Sequence, residues 1–510
     1  MRRARARCHQ GDVDLDAQTP AREEAAASRE RSMDPPLKGS ARRIAVLVVL
    51  IAFFMDILDG TIVNVAIPAI QHSIGADFAS VQWIVAGYAL TFALILIPGG
   101  RLGDIYGYKT MFMIGMAGFT LASTLCGLST TGTGLVAARL FQGATAAIMV
   151  PQIISMIQIL YVDPKERQHI SAYYGGIAGL ASVLGPILGA LLVETSLFGL
   201  GWRMIFLVNV PVGLFALLAA WLTLPSARSP HPLRLDIGGT VLALLAMSLL
   251  AFPLIQGREQ GWPLWGFVMI ALSLPAFVLF AWSQRRRERL DGSPLVVPSL
   301  FRYRSFVMGI VIAGGFFGVI GGFFLIQTLY MQLGLGFSVL EAGLTGIPFS
   351  LGVAIAAIVS GPFLVPRYGR LVLTAGCFVL AAAIAVLGII AQALGLAMTP
   401  WDMIPTLIVG GIGMGLIVSP VFTFVLVDVP VRHAGSASGI VSAVGQVGTA
   451  MGIALTGVVF FGRLAATNEN FVSAFAWSTS FGAAALVVVG FLTLFLPRYA
   501  TPRDDVFPGH

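Results

Sequence analysis

Apolar residues in this chain run in long blocks, without the period-two alternation of a surface strand. The blocks fall at about 44–70, 81–100, 111–129, 135–160, 170–193 and 203–224, then 237–256 and 263–283. Six more follow at about 306–332, 342–365, 371–392, 402–428, 435–461 and 475–496. A helix rising about 1.5 Å per residue needs about 20 residues to cross a hydrocarbon core of about 30 Å. Most blocks reach that length. Unpaired backbone groups are too costly in lipid for open strands, and a barrel would alternate, so the pattern predicts helices. The reading is an all-α polytopic membrane protein with two six-helix bundles and two extra central transmembrane helices, fourteen in all.

Composition agrees with the pattern. The 510 residues are 57% hydrophobic and 11% charged, against about 25% charged in a soluble domain. The net charge of +7 follows the loops. With the N-terminus inside, all of the 31 Lys and Arg except Arg139, Arg203, Arg258 and Arg463 fall on the cytoplasmic side, the bias of a membrane protein with both termini in the cytoplasm. Losing one span would scatter that charge over both sides. Losing both central spans would not, so charge alone leaves twelve and fourteen helices open.

The same distribution argues against nucleic acid, because no basic stripe interleaves with aromatics. Cys8, Cys126 and Cys377 form no CxxC pair, so neither a disulfide framework nor a metal site is expected. The six His are scattered, and no HExxH, GxSxG or G-x-x-x-x-G-K-[ST] spacing occurs, so neither catalysis nor nucleotide hydrolysis is expected. Residues 1–43 lack the apolar centre of a secretory signal and read as a disordered cytoplasmic tail, with Met33 an alternative start. The remaining divisions are a bundle at 44–224, the accessory helices and a cytoplasmic linker at 225–304, a second bundle at 305–497 and a cytoplasmic tail at 498–510.

Between the second and third blocks stands Gly100-Arg101-Leu102-Gly103-Asp104-Ile105-Tyr106-Gly107-Tyr108-Lys109. Glycines there allow a very short turn and close helix approach, and Asp104 can cap or pair at a helix end. The run resembles the G-x-L-x-D-r-x-G-r-k signature of the major facilitator superfamily, with Ile105 and Tyr108 where the pattern carries basic residues. Leu364-Val365-Pro366-Arg367-Tyr368-Gly369-Arg370 looks like a decayed second copy, with Pro366 in place of the aspartate. Leu135 to Gly143 resembles the fourth-helix pattern L-x-x-x-R-x-x-Q-G. Gly185-Pro186-Ile187-Leu188-Gly189 resembles the exporter motif G-P-x-x-G-G, with Ala190 replacing the last glycine. Leu58 to Pro68 and Trp202 to Gly213, with Asp236 and Gly435 to Gly439, are similar to the fourteen-helix drug:proton antiporter branch. The resemblance spans about residues 45–497. It implies two halves rocking about a midplane cavity, and a conformational role for the loop at Gly100, Asp104, Gly107 and Lys109.

Three charges fall inside the blocks and away from their end residues. Arg139 lies roughly 6–10 Å from the outer end of its helix and Asp59 roughly 8 Å from the outer face, so the two stand at similar depth. Buried charges usually face a bundle interior or a wet cavity and mark ion paths, although a fixed structural pair is the competing reading. Asp56, one turn before Asp59, shares its helix face. Asp59, Asp56 and Arg139 are thus the proton-coupling candidates. Asn64, Gln142, Gln152, Gln327 and Gln332 are candidates for lining a substrate cavity, or equally for bonding helices together. Gly314-x-x-x-Gly318, Gly411-x-x-x-Gly415 and Gly448-x-x-x-Gly452 permit close helix packing.

The expectation is a secondary active transporter, a proton-coupled antiporter exporting amphipathic or cationic drugs across the inner membrane. No cofactor is expected beyond the proton gradient. Expected partners are a small-molecule substrate, protons and the lipid bilayer, with no nucleic acid; the chain is expected to be a monomer, with accessory export proteins as further candidates. The competing readings are export of a single endogenous metabolite or lipid-like product, and a non-transporting membrane sensor or scaffold.

Overall fold

A computed structural model describes residues 39–499 apart from 162–163, 230–233, 258–259, 291–292 and 430–433. For residues 40, 164–169, 171–176, 178–179, 182–183, 362, 419 and 434–436 the backbone alone is described. The first bundle holds α1 (Gly39–Ile74), α2 (Phe78–Tyr106), α3 (Tyr108–Leu128), α4 (Gly132–Leu160), α5 (Pro164–Thr195) and α6 (Gly201–Thr223). The accessory pair is α7 (Ile237–Gln256) and α8 (Leu264–Leu290). The second bundle holds α9 (Arg304–Leu329), α10 (Val339–Val359), α11 (Leu371–Leu394), α12 (Pro400–Leu426), α13 (Ala434–Ala466) and α14 (Phe471–Thr493).

Thirteen of these described helices are long and apolar enough to cross a membrane. The other, α5, has 32 residues. Both accessory helices are full-length, which decides for fourteen spans. One boundary needs correction. Helix α1 is described from Gly39, inside the segment assigned to the tail, and Arg42 in its first turn lays its guanidinium over the Tyr161 ring at 4.5 Å, just past the end of α4. Residues 1–38 and 500–510 lie outside the described residues.

Fourteen alternating spans return the start of α1 and the end of α14 to one side, here called the terminal face; the other is the distal face. Starts of helices on the distal face carry their own caps: Asp77 accepts from Ser80 N at 2.8 Å, Thr131 from Gly134 N at 3.1 Å and Asn470 from Ser473 N at 2.9 Å. Ser338 and Glu341 form a reciprocal box at the start of α10. Each satisfies amide N–H groups left over by the helix.

The halves repeat with an offset of eight helices. In the first, α2 packs on α4, α3 on α4 and α6, and α1 on α5; in the second, α10 packs on α12, α11 on α12 and α14, and α9 on α13. Gly107 (φ 99°) and Gly369 (φ 58°) sit at the same step of each half, in a region of φ that disfavours side chains. The decayed second loop therefore keeps its turn although Pro366 replaced the acid.

Small residues set the closest crossings. A Cβ on Gly448 would strike Gly314 O, and one on Gly452 would strike Gly318 O, so two of the small-residue motifs face each other across α9 and α13. Gly411 and Gly415 take the same part against Phe349 and Val353 of α10. In the first half the equivalent crossing of α1 and α5 is made by Gly185 against Thr61 and Gly189 against Ile62.

The bundles touch through α2 with α13, α5 with α10, and α1 with α9. On the distal side Gln332 donates to Val65 O at 2.8 Å, Leu340 N donates to Glu194 at 3.2 Å, and Phe78 meets Phe461 with ring centroids 4.4 Å apart. Helix α7 packs on α8, α2 and α13, beside one seam between the bundles. On the terminal face Asp236 caps α7 through Gly239 N at 2.7 Å. It also accepts from Gln284 at 2.7 Å and pairs with Arg287 at 3.0 Å.

Candidate functional site

The charged site is assembled from five helices of the first bundle. Asp59 of α1 and Arg139 of α4 form an ion pair at 2.5 Å, with relative side-chain exposures of 0% and 2%. An isolated charge at that depth would be severely destabilising, so the remaining lone pairs and protons need partners. Several have them within the cluster. Asp59 Oδ2 accepts from Arg139, while Oδ1 accepts from Gln142 Nε2 at 2.8 Å and Asn209 Nδ2 at 3.2 Å. Arg139 Nε donates to Ile84 O at 3.0 Å, and its Nη1 also donates to Gln142 Oε1 at 2.7 Å.

Ser123 of α3 closes the cluster. Its hydroxyl accepts from Gln142 at 3.1 Å and Asn209 at 3.0 Å and donates to Phe206 O at 3.2 Å. Both amide protons of Gln142 and both of Asn209 are thereby used. Cys126 adds a weak thiol bond to Gln142 Oε1 at 3.6 Å. This network holds α1, α3, α4 and α6 in one register.

Asp56 stands in a different environment. It is only partly buried, and its Oδ1 accepts from the Tyr88 hydroxyl at 2.7 Å. The ring of Tyr88 lies under the Arg139 guanidinium at 4.3 Å. One aromatic side chain of α2 thus touches both the partly exposed acid and the buried cation, an arrangement in which a cation is attracted to the ring face.

The five amides considered for a cavity go to separate places. Gln142 is part of the ion-pair cluster and fully buried. Gln152, also fully buried, donates to Gly99 O at 2.8 Å and Ile148 O at 2.9 Å, tying α4 to α2 opposite Gly103. Gln332 bonds the two bundles through Val65 O. Asn64 donates within its own helix to Gly60 O at 3.4 Å, and Gln327 is buried on α9. Three of the five therefore join helices together in this conformation.

In the signature loop Asp104 accepts from Tyr108 Oη at 2.9 Å, so the tyrosine at a position where the family pattern is basic satisfies the acid. Lys109 Nζ donates to Trp221 O at 2.8 Å in the last turn of α6, and Gly100 faces Pro151. Arg101, a variable position of the pattern, is buried and donates to Arg234 O and Ser293 O, both at 3.0 Å, and to Pro294 O. The exporter-motif residues Gly185 and Gly189 serve the α1 crossing, and the carbonyl of Pro186 faces Gly343 of α10.

Sequence reasoning missed Tyr88, Ser123, Arg101 and, as a site residue, Asn209. Asn209 stood inside a quoted motif as an amide in an apolar span, a signal of the same kind that picked out Gln142. Among the described residues no group of three or more His, Cys, Asp or Glu is placed to hold a metal.

The Major Facilitator Superfamily model matches residues 49–453. The chain is 42% identical over 427 residues to a "Probable actinorhodin transporter" of Streptomyces coelicolor, covering 83% of this chain and 73% of that protein. It is 32% identical to "Multidrug resistance protein Stp" of Mycobacterium tuberculosis, covering 82% and 76%. Among solved structures, a POT family transporter in complex with 5-aminolevulinic acid superposes with a TM-score of 0.65 at 14% identity, covering 90% of this chain and 97% of that one. That likeness concerns the fold.

Proposed function

The chain belongs to the Major Facilitator Superfamily, and from that premise we propose that it exports amphipathic or cationic drug-like compounds in exchange for protons. The terminal face lies in the cytoplasm, and the proton gradient is the energy source. The chain works as a monomer and catalyses no covalent chemistry. The observation that carries the reading is the contrast between two acids one turn apart. Asp59 is fully buried and accepts three hydrogen bonds from Arg139, Gln142 and Asn209, whereas Asp56 is partly exposed and held by a single tyrosine hydroxyl. Asp56 takes and releases the coupling proton or receives the cationic substrate. Asp59 and Arg139 hold the frame against which it works, and Tyr88 links the two.

The test is dye efflux with and without a proton uncoupler, followed by pH-gradient-driven uptake into inverted vesicles. Asp56→Asn is expected to abolish the gradient-driven component while preserving folding. Full gradient-driven transport by Asp56→Asn would refute its role, and efflux untouched by the uncoupler would refute proton coupling. A second reading, export of one product, is favoured by the 42% identical relative, whose name carries a single compound. Competition among structurally unrelated toxicants separates the two: mutual inhibition supports multidrug export, and its absence supports the single product.

A further inference from the structure

We propose that the terminal-face end of α8, together with the Pro298–Arg302 turn, binds the headgroup of an anionic phospholipid. Helix α8 is peripheral. Its side chains Val268, Leu272, Val278 and Leu279 are exposed along one length of helix, and Trp282 follows them, also exposed. In a bilayer that flank meets acyl chains, and tryptophan marks the level of the headgroups.

Immediately past Trp282 come Arg285, Arg286, Arg287 and Arg289. Their surroundings divide them. Arg287 is spent on Asp236, fastening α8 to α7. Arg285, Arg286 and Arg289 are exposed, and Arg286 lies over the Trp282 ring at 5.5 Å. Arg285 and Arg289, four residues apart, share one side of the helix.

Among the described residues the acid within this run forms no ion pair with them. Glu288 accepts from Ser299 N at 3.0 Å, which brings the Pro298–Arg302 turn against the end of α8. That turn adds exposed Arg302 and exposed Phe301, a further charge and an apolar group at the same level. From 285 to 304 the sequence holds six arginines against two acids, Glu288 and Asp291, the latter outside the described residues. Several guanidinium groups beside a wall of exposed apolar side chains match a phosphodiester joined to two acyl chains. Arginine, with its planar fork of donors, suits phosphate oxygens. Basic clusters at the end of a membrane helix attract anionic lipid through the same charge complementarity.

The experiment uses the full-length protein purified in a neutral detergent, with phosphatidylglycerol or phosphatidylcholine added. Lipid binding is read by native mass spectrometry and stability by the thermal midpoint. Phosphatidylglycerol is expected to bind and raise the midpoint where phosphatidylcholine does not. The triple variant R285Q/R286Q/R289Q is expected to weaken that binding about 100-fold, and the triple lysine variant to retain most of it. Should the triple glutamine variant not fold, each single substitution carries the test, with about fivefold weaker binding expected. Unchanged phosphatidylglycerol binding in the glutamine variants overturns the proposal. So does equal protection of the unmodified protein by both lipids. A loss of stability that is the same in either lipid also overturns it, since the arginines would then merely complement the negative end of the helix.

Discussion

Arg139→Met is the perturbation that most directly interrogates the buried ion pair. It removes the donor to Asp59 Oδ2 and leaves the carboxylate with Gln142 and Asn209 alone. Breaking a buried pair from one side costs about 3–5 kcal/mol. Asp59→Asn is expected to cost a similar amount, because Arg139 then keeps only Ile84 O and Gln142 Oε1 as hydrogen-bond acceptors. The double variant behaves differently. With Asn at 59, one oxygen still accepts from Gln142 and Asn209, the ion pair's two charges are gone, and the main losses are the donors to Ile84 O and Gln142 Oε1, about 1–3 kcal/mol each. The two single costs therefore overshoot the double by several kcal/mol. A double-mutant cycle on the purified protein, using reversible unfolding in detergent, measures that coupling. Single costs below about 1 kcal/mol, or an additive double variant, would refute the reasoning. Export is a separate readout: all three variants are expected to lose it, so stability recovered by the double variant would not be recovered activity.

Further substitutions at Gly452, Gly462, Arg101 and Tyr88 test other contacts of the fold. Gly452→Val drives a side chain into Gly318 O and is expected to destabilise by about 1–3 kcal/mol, whereas Gly462→Ala, with open space at its Cβ, stays within about 0.5 kcal/mol; melting midpoints compare them. Arg101→Gln releases the carbonyls of Arg234, Ser293 and Pro294, so limited proteolysis should cut the segments before α7 and after α8 faster while both bundles remain folded. Tyr88→Phe removes one hydrogen bond to Asp56, about 0.5–1.5 kcal/mol. Tyr88→Leu also removes the ring beneath Arg139, a further loss of about 0.5–2 kcal/mol; equal unfolding energies for the two would mean that the ring contact does nothing.

Length and apolarity made the spans legible, since a block of about 20 apolar residues has few alternatives in lipid. The depth of Asp59 and Arg139 was legible too, because rise per residue converts sequence position into distance along a helix, and the two side chains do meet. What sequence does not encode is rotation of one helix relative to another. That rotation sends Gln142 into the ion-pair cluster and Gln332 to a backbone carbonyl of the other bundle, although both are amides in apolar runs. It also brings in Tyr88 and Ser123, residues too common in membrane helices to stand out alone. The start of α1 was misplaced for a related reason. Hydrophobicity ends with the bilayer, but a helix continues wherever a contact such as Arg42 over Tyr161 sustains it.

The eightfold helix offset that relates the halves breaks down at the charges. Among the described residues, the helices α9 to α14 carry charged side chains only in terminal turns, at Arg304, Glu341, Asp402 and Arg463. The crossing of α9 and α13 is built from glycines against backbone and the uncharged side chains of Thr449 and Thr456. The first bundle keeps the equivalent crossing of α1 and α5, yet α1 also carries Asp56 and Asp59 on one face. A helix that must hold a buried ion pair in register with α3, α4 and α6 cannot slide against them without exposing or orphaning a charge. The glycine crossings are under no such constraint, and among the described residues the bonds named between the bundles on the distal side are neutral or at helix ends. For the proposed export cycle, that asymmetry favours a rigid charged half rocking against an apolar half, with Asp56, partly exposed, as the mid-span acid whose surroundings the rocking would change.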